Sequence, residues 1–411
     1  MDIATRWLAA ADLIQAHRDV LAARPDDDGA PRALVDRQWS SFLLQLDDAE
    51  LEALEIGGRQ ARWPTTTPSS LIELLAAVRT TCALPALLAD EDKEQPRSRR
   101  HERPRKQKQI DAFARLIVPL AHAAARVVDV GSGHGHLTRE LAERVQIPVV
   151  GLERSPTLAG RARTLGLGDS NLSFRVTDFL NEGVVHVDGD CIVGLHACGE
   201  LGDALVSSAA ASSRVAAVAL VGCCLQKQRA LVRRPLCLLV KGQAVDVEAL
   251  TLPKGLLGLS NLSMRDQGVE ASRVDNLQAR GRRLALHHLL AGSLPSQPLP
   301  FGAELEGLNR RSAHQNVDTL VAKAFAVRGL PLPSKAAIAE AVAWAQEHHA
   351  RARRLQLPRT LLGRVLEVFV LLDRAQHLQE QGFVVDVGLV FSDGVSARNL
   401  ALVATRHCRA R

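Results

Sequence analysis

Asp129-Val130-Gly131-Ser132-Gly133-His134-Gly135-His136-Leu137 decides the fold of this 411-residue chain. The stretch follows a short apolar run, Val127-Val128, and opens onto Thr138–Val145, whose apolar spacing is helical. Glycines at the exit of a strand let the backbone approach a ligand closely, and the next helix offers it unpaired N–H groups. Outward from the loop the alternation continues. Pro148–Glu153 reads as a second strand and Leu158–Leu165 as its helix. Leu172–Val176, Cys191–Leu195 and Val215–Val221 read as three more strands, with a helix over Leu201–Ala211. This spacing predicts a parallel α/β sheet covered on both faces. After Cys224 the alternation lapses, and it resumes with a helix over Leu361–Gln381 closed by Gly382. A strand over Phe383–Phe391, a turn at Ser392-Asp393-Gly394 and a strand over Asn399–Thr405 complete the chain.

Three acids give the loop a chemical meaning. Asp129 ends the first strand, Glu153 the second, and Asp178 follows the third, with Phe179 beside it. A carboxylate at the end of the second strand accepts hydrogen bonds from ribose hydroxyls, and one after the third can take an adenine amino group. A nicotinamide enzyme shares strand, loop and ribose acid, but its usual spacing is G-x-G-x-x-G, whereas this chain has G-x-G-x-G. The terminal hairpin points the same way, because ordinary dinucleotide folds add their last strand in parallel. The expected fold is a Rossmann-like, seven-stranded methyltransferase sheet with an antiparallel terminal hairpin, a helical N-terminal module and a large insertion. Its expected cofactor is S-adenosylmethionine, held by Asp129, Gly131, Ser132, Gly133, Gly135, Glu153, Asp178, Phe179 and Leu195.

Methyl transfer from a sulfonium is a direct displacement, so the enzyme must mainly align the nucleophile; a base is needed only if that nucleophile is protonated. His196 and Cys198, at the end of the fourth strand, are the catalytic candidates, and Cys223-Cys224 end the fifth. Cysteines at strand ends are most often small hydrophobes. His196, Cys198 and the cysteine pair have the ligand types of a zinc site, but adjacent cysteines rarely both reach one tetrahedral ion, and no metal is expected. Cys223, Cys224, Arg310, Arg311 and His314 are the candidate substrate contacts, while Arg351, Arg353 and Arg354 read as a solvated helix face.

The expected domains are a helical module over 1–95, a first methyltransferase part over 96–224, an insertion over 225–356 that carries substrate choice, and a last part over 357–411. Between Arg97 and Lys108 seven basic residues face one acid, Glu102, which is a solvated linker or an electropositive lip to the site. The net charge is +6, yet only eight of the 51 basic residues are Lys, so the global balance carries little weight. Seven cysteines, an odd number, do not form a disulfide framework. The N-terminus lacks a signal-peptide pattern and no apolar run reaches membrane-spanning length, so a cytoplasmic protein without membrane contact is expected.

At these motifs the chain resembles the methyltransferase-like protein 25 family, whose members are described as ribosomal-RNA adenine dimethylase-domain-containing proteins. The resemblance runs through Trp39, the Asp129–Leu137 loop, Gly194-Leu195-His196-Ala197-Cys198-Gly199-Glu200-Leu201 and Gly222-Cys223-Cys224. It ends with Leu366–Arg374, Leu378–Gly382 and Ser396–Leu400, and Lys106-Gln107-Lys108-Gln109-Ile110 resembles the family's basic lead-in. It implies cofactor binding at Gly131, Gly133 and Glu153. Adenine-N6 enzymes carry Asn-Pro-Pro-Tyr or a relative after the fourth strand. This chain has His196-Ala197-Cys198-Gly199 there and no Tyr, which argues against that reaction. The same element resembles one in transfer-RNA ribose 2′-O-methyltransferases. The expected acceptor is a macromolecule, RNA or protein; a small molecule under an insertion lid and a cofactor-binding scaffold without turnover are the alternatives.

Overall fold

The computed structural model describes residues 2–24, 29–88, 104–261, 272–294, 299, 302–392 and 394–406. Its central feature is a seven-stranded sheet built from β1 (Arg126–Val130), β2 (Val149–Glu153), β3 (Leu172–Val176), β4 (Asp190–Cys198), β5 (Val215–Cys223), β6 (Phe383–Leu389) and β7 (Leu400–Arg406). The strand order is β6-β7-β5-β4-β1-β2-β3. Strands β1 to β5 pair in parallel, whereas β7 runs antiparallel to both β5 and β6. The expected terminal hairpin is therefore present. Strand β2 is buried along its whole length and β1 along nearly all of it, which explains their near-continuous Val and Leu. Strand β3, at the edge, leaves Ser173, Arg175 and Val176 exposed. Asp393 of the expected turn lies outside the described residues.

The helix Pro104–Ala121 covers one face of the sheet with Ile110, Phe113 and Ile117, which pack with Val127, Val193 and Val221 in one buried cluster. The last helix is longer than the sequence pattern suggested: it runs from Lys335 to Glu380 and contains Pro358. The boundary expected after residue 356 falls inside it.

The chain forms two compact units. The first comprises Met1–Arg18, Ala77–Asn261 and Leu362–Arg411, the second Asp19–Ala76 and Leu262–Leu361. These divisions differ from those expected at 95, 224 and 356. The N-terminal helix Ile3–Ala16 belongs to the sheet unit because Trp7, 1% exposed, stacks on Phe369 at 5.4 Å. Residues following β5 belong there too, because Arg233 pairs with Asp203 and Asp373 in its interior. The second unit is helical, with Leu286, Leu290, Leu320, Val321 and Phe325 in its core. Among the described residues, no helix is long and apolar enough to cross a membrane.

One irregularity aims a side chain. The register of β4 against β5 shifts between Leu195 and Ala197, and the residue between them, His196, has φ +63°. A bulge at the end of a strand bends the chain and re-aims the extra residue.

Candidate functional site

The sheet order reverses between β1 and β4, and ligands of open parallel sheets bind in the crevice beyond the carboxyl ends at such a reversal. The glycine loop stands there. Gly131, Gly133 and Gly135 have φ of +76°, +59° and +70°, a left-handed conformation costly for side-chain-bearing residues. At Gly135 packing adds a second demand, since a Cβ would meet the Phe174 ring at 2.4 Å. At Gly133 a Cβ would meet nothing within 4 Å, so the loop is open on that side.

Glu153 is 9% exposed, and backbone donors fix both its oxygens. The Gly133 N–H donates to Oε2 at 3.0 Å and the Ser155 N–H to Oε1 at 2.9 Å. Each oxygen keeps a lone pair, so the carboxylate is oriented before any ligand arrives. Ser132 Oγ is buried and has no hydrogen-bond partner among the described residues. An oriented acid, an orphaned hydroxyl and an open glycine turn fit a nucleoside-bearing cofactor.

Asp129 is buried below the loop and accepts a hydrogen bond from Thr138 Oγ1 at 2.7 Å. Burial pushes its carboxyl up to about 6; the Thr138 bond and the Lys106 charge oppose the rise, and Glu153 adds to it. The folded chain thus holds this proton more tightly than the unfolded chain, whose carboxyl titrates near 3.8. Stability contributed by that proton is complete below about pH 4 and is lost as the pH rises through about 6. Relative to Asp129→Asn, which does not titrate, the wild-type protein is expected to lose about 3 kcal/mol over that window. Urea unfolding of both proteins at pH 4, 5, 6 and 7 checks this; parallel curves would refute it.

The other expected cofactor contacts lie at or just beyond the carboxyl ends of β3 and β4. Asp178 caps the short helix Phe179–Glu182, accepting from the Leu180 N–H at 3.2 Å and from Asn181 Nδ2 at 2.8 Å. Phe179 is buried, and Leu195 is half-buried against the sheet core.

At the bulge, His196 Nε2 donates to Gln109 Oε1 at 2.9 Å, and Gln109 is itself buried. With the proton on Nε2, Nδ1 carries a lone pair; it is buried and unpartnered among the described residues. Burial, then the Lys106 charge, with smaller effects of Arg105 and Arg398, holds the imidazole down to about 4 against the opposing influence of Cys224. His196 is therefore neutral. Cys198 Sγ donates to the His196 carbonyl at 3.2 Å, and Cys223 Sγ lies 3.6 Å from Cys224 Sγ. All three sulfurs lie within 4.8 Å of one another.

Gln109, Lys106 and Arg398 lie in stretches that the resemblance quotes, but the sequence assigned none of them an individual role in this site. One signal existed: Gln109 sits on the helix face that carries Ile110, Phe113 and Ile117, where a polar residue needs a buried partner. A further omission lies beneath the site, where Asp203, Arg233, Asp373 and Arg374 form a buried ionic network; Arg374 also donates to the Gly199 carbonyl at 2.9 Å.

Cys223 and Cys224 belong to the sheet unit. Arg311 and His314 are exposed on a 3-10 turn of the second unit, which Asn309 caps by accepting from the Arg311 N–H at 3.0 Å. The Arg310 side chain lies outside what the structure describes. Arg353 and Arg354 do not form a solvated face: Arg353 pairs with Glu55 at 2.7 Å and Arg354 with Asp48 at 2.7 Å, both within the second unit.

Comparison with known proteins supplies the family context. Residues 105–230 match a family model described as a methyltransferase domain. Similar solved structures include a TehB-like S-adenosylmethionine-dependent methyltransferase from Corynebacterium glutamicum, 19% identical over 26% of this chain and 60% of that one, with a TM-score of 0.23. Magnesium protoporphyrin IX methyltransferase from Synechocystis is 21% identical over 28% of this chain and 55% of its own, with a TM-score of 0.24. Ribosomal protein L11 methylase from Lactobacillus delbrueckii is 20% identical over 29% and 59%, also at 0.24. The chain thus spans less than two thirds of the length of each of these three structures. The match to the methyltransferase-domain model thus covers the part of the chain that carries β1 to β5 and the glycine loop.

Proposed function

We propose that this chain is an S-adenosylmethionine-dependent methyltransferase that modifies a macromolecule, and that the macromolecule is RNA. The observation that carries the reading is the basic edge beside His196 at the start of the helix Pro104–Ala121, where Lys106 is exposed and Arg105 half-buried and both bear on the imidazole, whereas Arg398 is buried and paired with Glu367. Such a rim attracts a polyanion. The likeness of His196-Ala197-Cys198-Gly199 to an element of transfer-RNA ribose methyltransferases supports the same substrate class.

The roles follow from placement. Gly131, Ser132, Gly133 and Glu153 hold the cofactor, which supplies an electrophilic methyl group. His196, with its Nε2 proton anchored on Gln109, offers the Nδ1 lone pair to a hydroxyl or amine of the acceptor. It aligns that group and accepts its proton where there is one to lose.

Radiolabelled cofactor added to a lysate from cells lacking the protein tests the substrate. Label in nuclease-sensitive material is the expected result; label in protein, or only in small molecules, would overturn the reading. Binding to total RNA should weaken steeply between 50 and 200 mM salt, as expected when phosphates are neutralised. His196→Ala is expected to reduce transfer about 10²-fold or more while leaving cofactor affinity unchanged. Full turnover in that variant would remove His196 from the mechanism.

A further inference from the structure

We propose that Cys198, Cys223 and Cys224 together bind one zinc ion at the carboxyl ends of β4 and β5. The inference rests on the thiol geometry and is independent of methyl transfer. Zinc–thiolate bonds of about 2.3 Å in a tetrahedron place sulfurs about 3.8 Å apart. The observed 3.6 Å between Cys223 and Cys224 is close to that edge, and far from the roughly 2.05 Å of a disulfide. Cys198 completes a triangle whose sides are all within 4.8 Å.

The expectation that adjacent cysteines face apart assumes that both lie in a regular strand. Cys223 is the last residue of β5 and pairs with Cys198 across the sheet. Cys224 lies just beyond the strand, where the alternation of side chains no longer applies, and its sulfur returns to the same side. All three cysteines are half-buried, so the triangle is held by the sheet yet reachable by an ion.

Charge and hydrogen bonding suit the occupant. Three thiolates on a divalent cation leave one negative charge. Arg398 and Lys227 act on Cys224, and the guanidiniums of Arg364 and Arg398 meet a single carboxylate, that of Glu367. The fourth position is left to an exogenous ligand, with His196 within electrostatic reach of Cys224. Binding displaces the remaining thiol protons to solvent, forms three Zn–S bonds and requires no redox partner.

The test uses the full-length protein, stripped with a chelator under reducing conditions. Titration with Co²⁺ should give one equivalent of a species with thiolate-to-cobalt charge-transfer bands and the visible bands of a tetrahedral ion. Competition with Zn²⁺ should remove both. Cys223→Ser and Cys224→Ser should each weaken zinc binding more than about 100-fold, with Cys198→Ser doing the same, whereas Cys82→Ser binds as wild type. Proton release should accompany uptake. Absence of the cobalt spectrum, binding unaffected by Cys223→Ser, or isolation of a Cys223–Cys224 disulfide under those reducing conditions would overturn the site. Cofactor affinity of the stripped protein, measured in parallel, separates the two readings: a wild-type protein that takes up no metal yet still binds S-adenosylmethionine sinks only the metal site.

Discussion

Asp373→Ala is expected to lower the free energy of unfolding by about 3–5 kcal/mol, the largest stability effect of any single substitution considered for this chain. Asp373 is 0% exposed. Its carboxylate accepts from Arg233 Nη2 at 2.7 Å, from the Leu236 N–H at 2.9 Å and from the Cys237 N–H at 3.1 Å. Arg233 also pairs with Asp203, which pairs in turn with Arg374. In the intact network two acids face two guanidiniums. Removing Asp373 leaves two buried cations on one carboxylate and two backbone donors without an acceptor, and both losses are expensive in a low-dielectric interior. Urea unfolding followed by circular dichroism reads the loss. The double variant Asp373→Leu with Arg233→Met should recover a large part of it, because apolar isosteres of a buried pair carry no desolvation penalty. A single-variant loss below about 1 kcal/mol would mean that water reaches the network and screens it.

That network also shows where sequence reasoning stops. The glycine loop, Glu153 and the terminal hairpin were legible because each is a local pattern: a turn that needs positive φ, an acid closing an apolar run, two strands joined by a short turn. Asp203, Arg233 and Asp373 stand far apart in sequence, and nothing in the composition around any of them marks a partner. The pairing exists only because the fold brings the segment after β5 against the last helix. Asp178 illustrates the opposite limit. An acid after the third strand satisfies both a ligand-binding pattern and a helix cap; the Leu180 and Asn181 contacts show the cap, and a cap is compatible with a ligand on the remaining lone pairs. His196 was legible as a residue type at a strand end, but its bulge, its Gln109 partner and its bare Nδ1 depend on register between strands and on a helix that the sequence marked only as a basic lead-in.

Glu153→Ala is expected to weaken S-adenosylmethionine binding by about 100-fold or more, about 2.7 kcal/mol. Charge-assisted hydrogen bonds from ribose hydroxyls to an ionised acceptor are among the stronger polar contacts, and two are lost with one side chain. The cost has a second source in this chain. The carboxylate also holds the Gly133 and Ser155 N–H groups, so its removal releases the loop that contacts the ligand. The two sources separate on substitution. Glu153→Gln keeps one carbonyl oxygen but places an NH₂ against one of the two backbone donors, so it should lose affinity less than Ala while lowering thermal stability comparably. Calorimetric titration with S-adenosylmethionine and with its demethylated product measures affinity, and thermal unfolding of the unliganded variants measures the loop. Were Glu153→Ala to bind the cofactor as tightly as wild type, the acid would be a loop strut alone, and the ribose would have to be held by another group at the mouth of the crevice. Ser132, whose hydroxyl is buried and unpartnered among the described residues, is then the group to replace next.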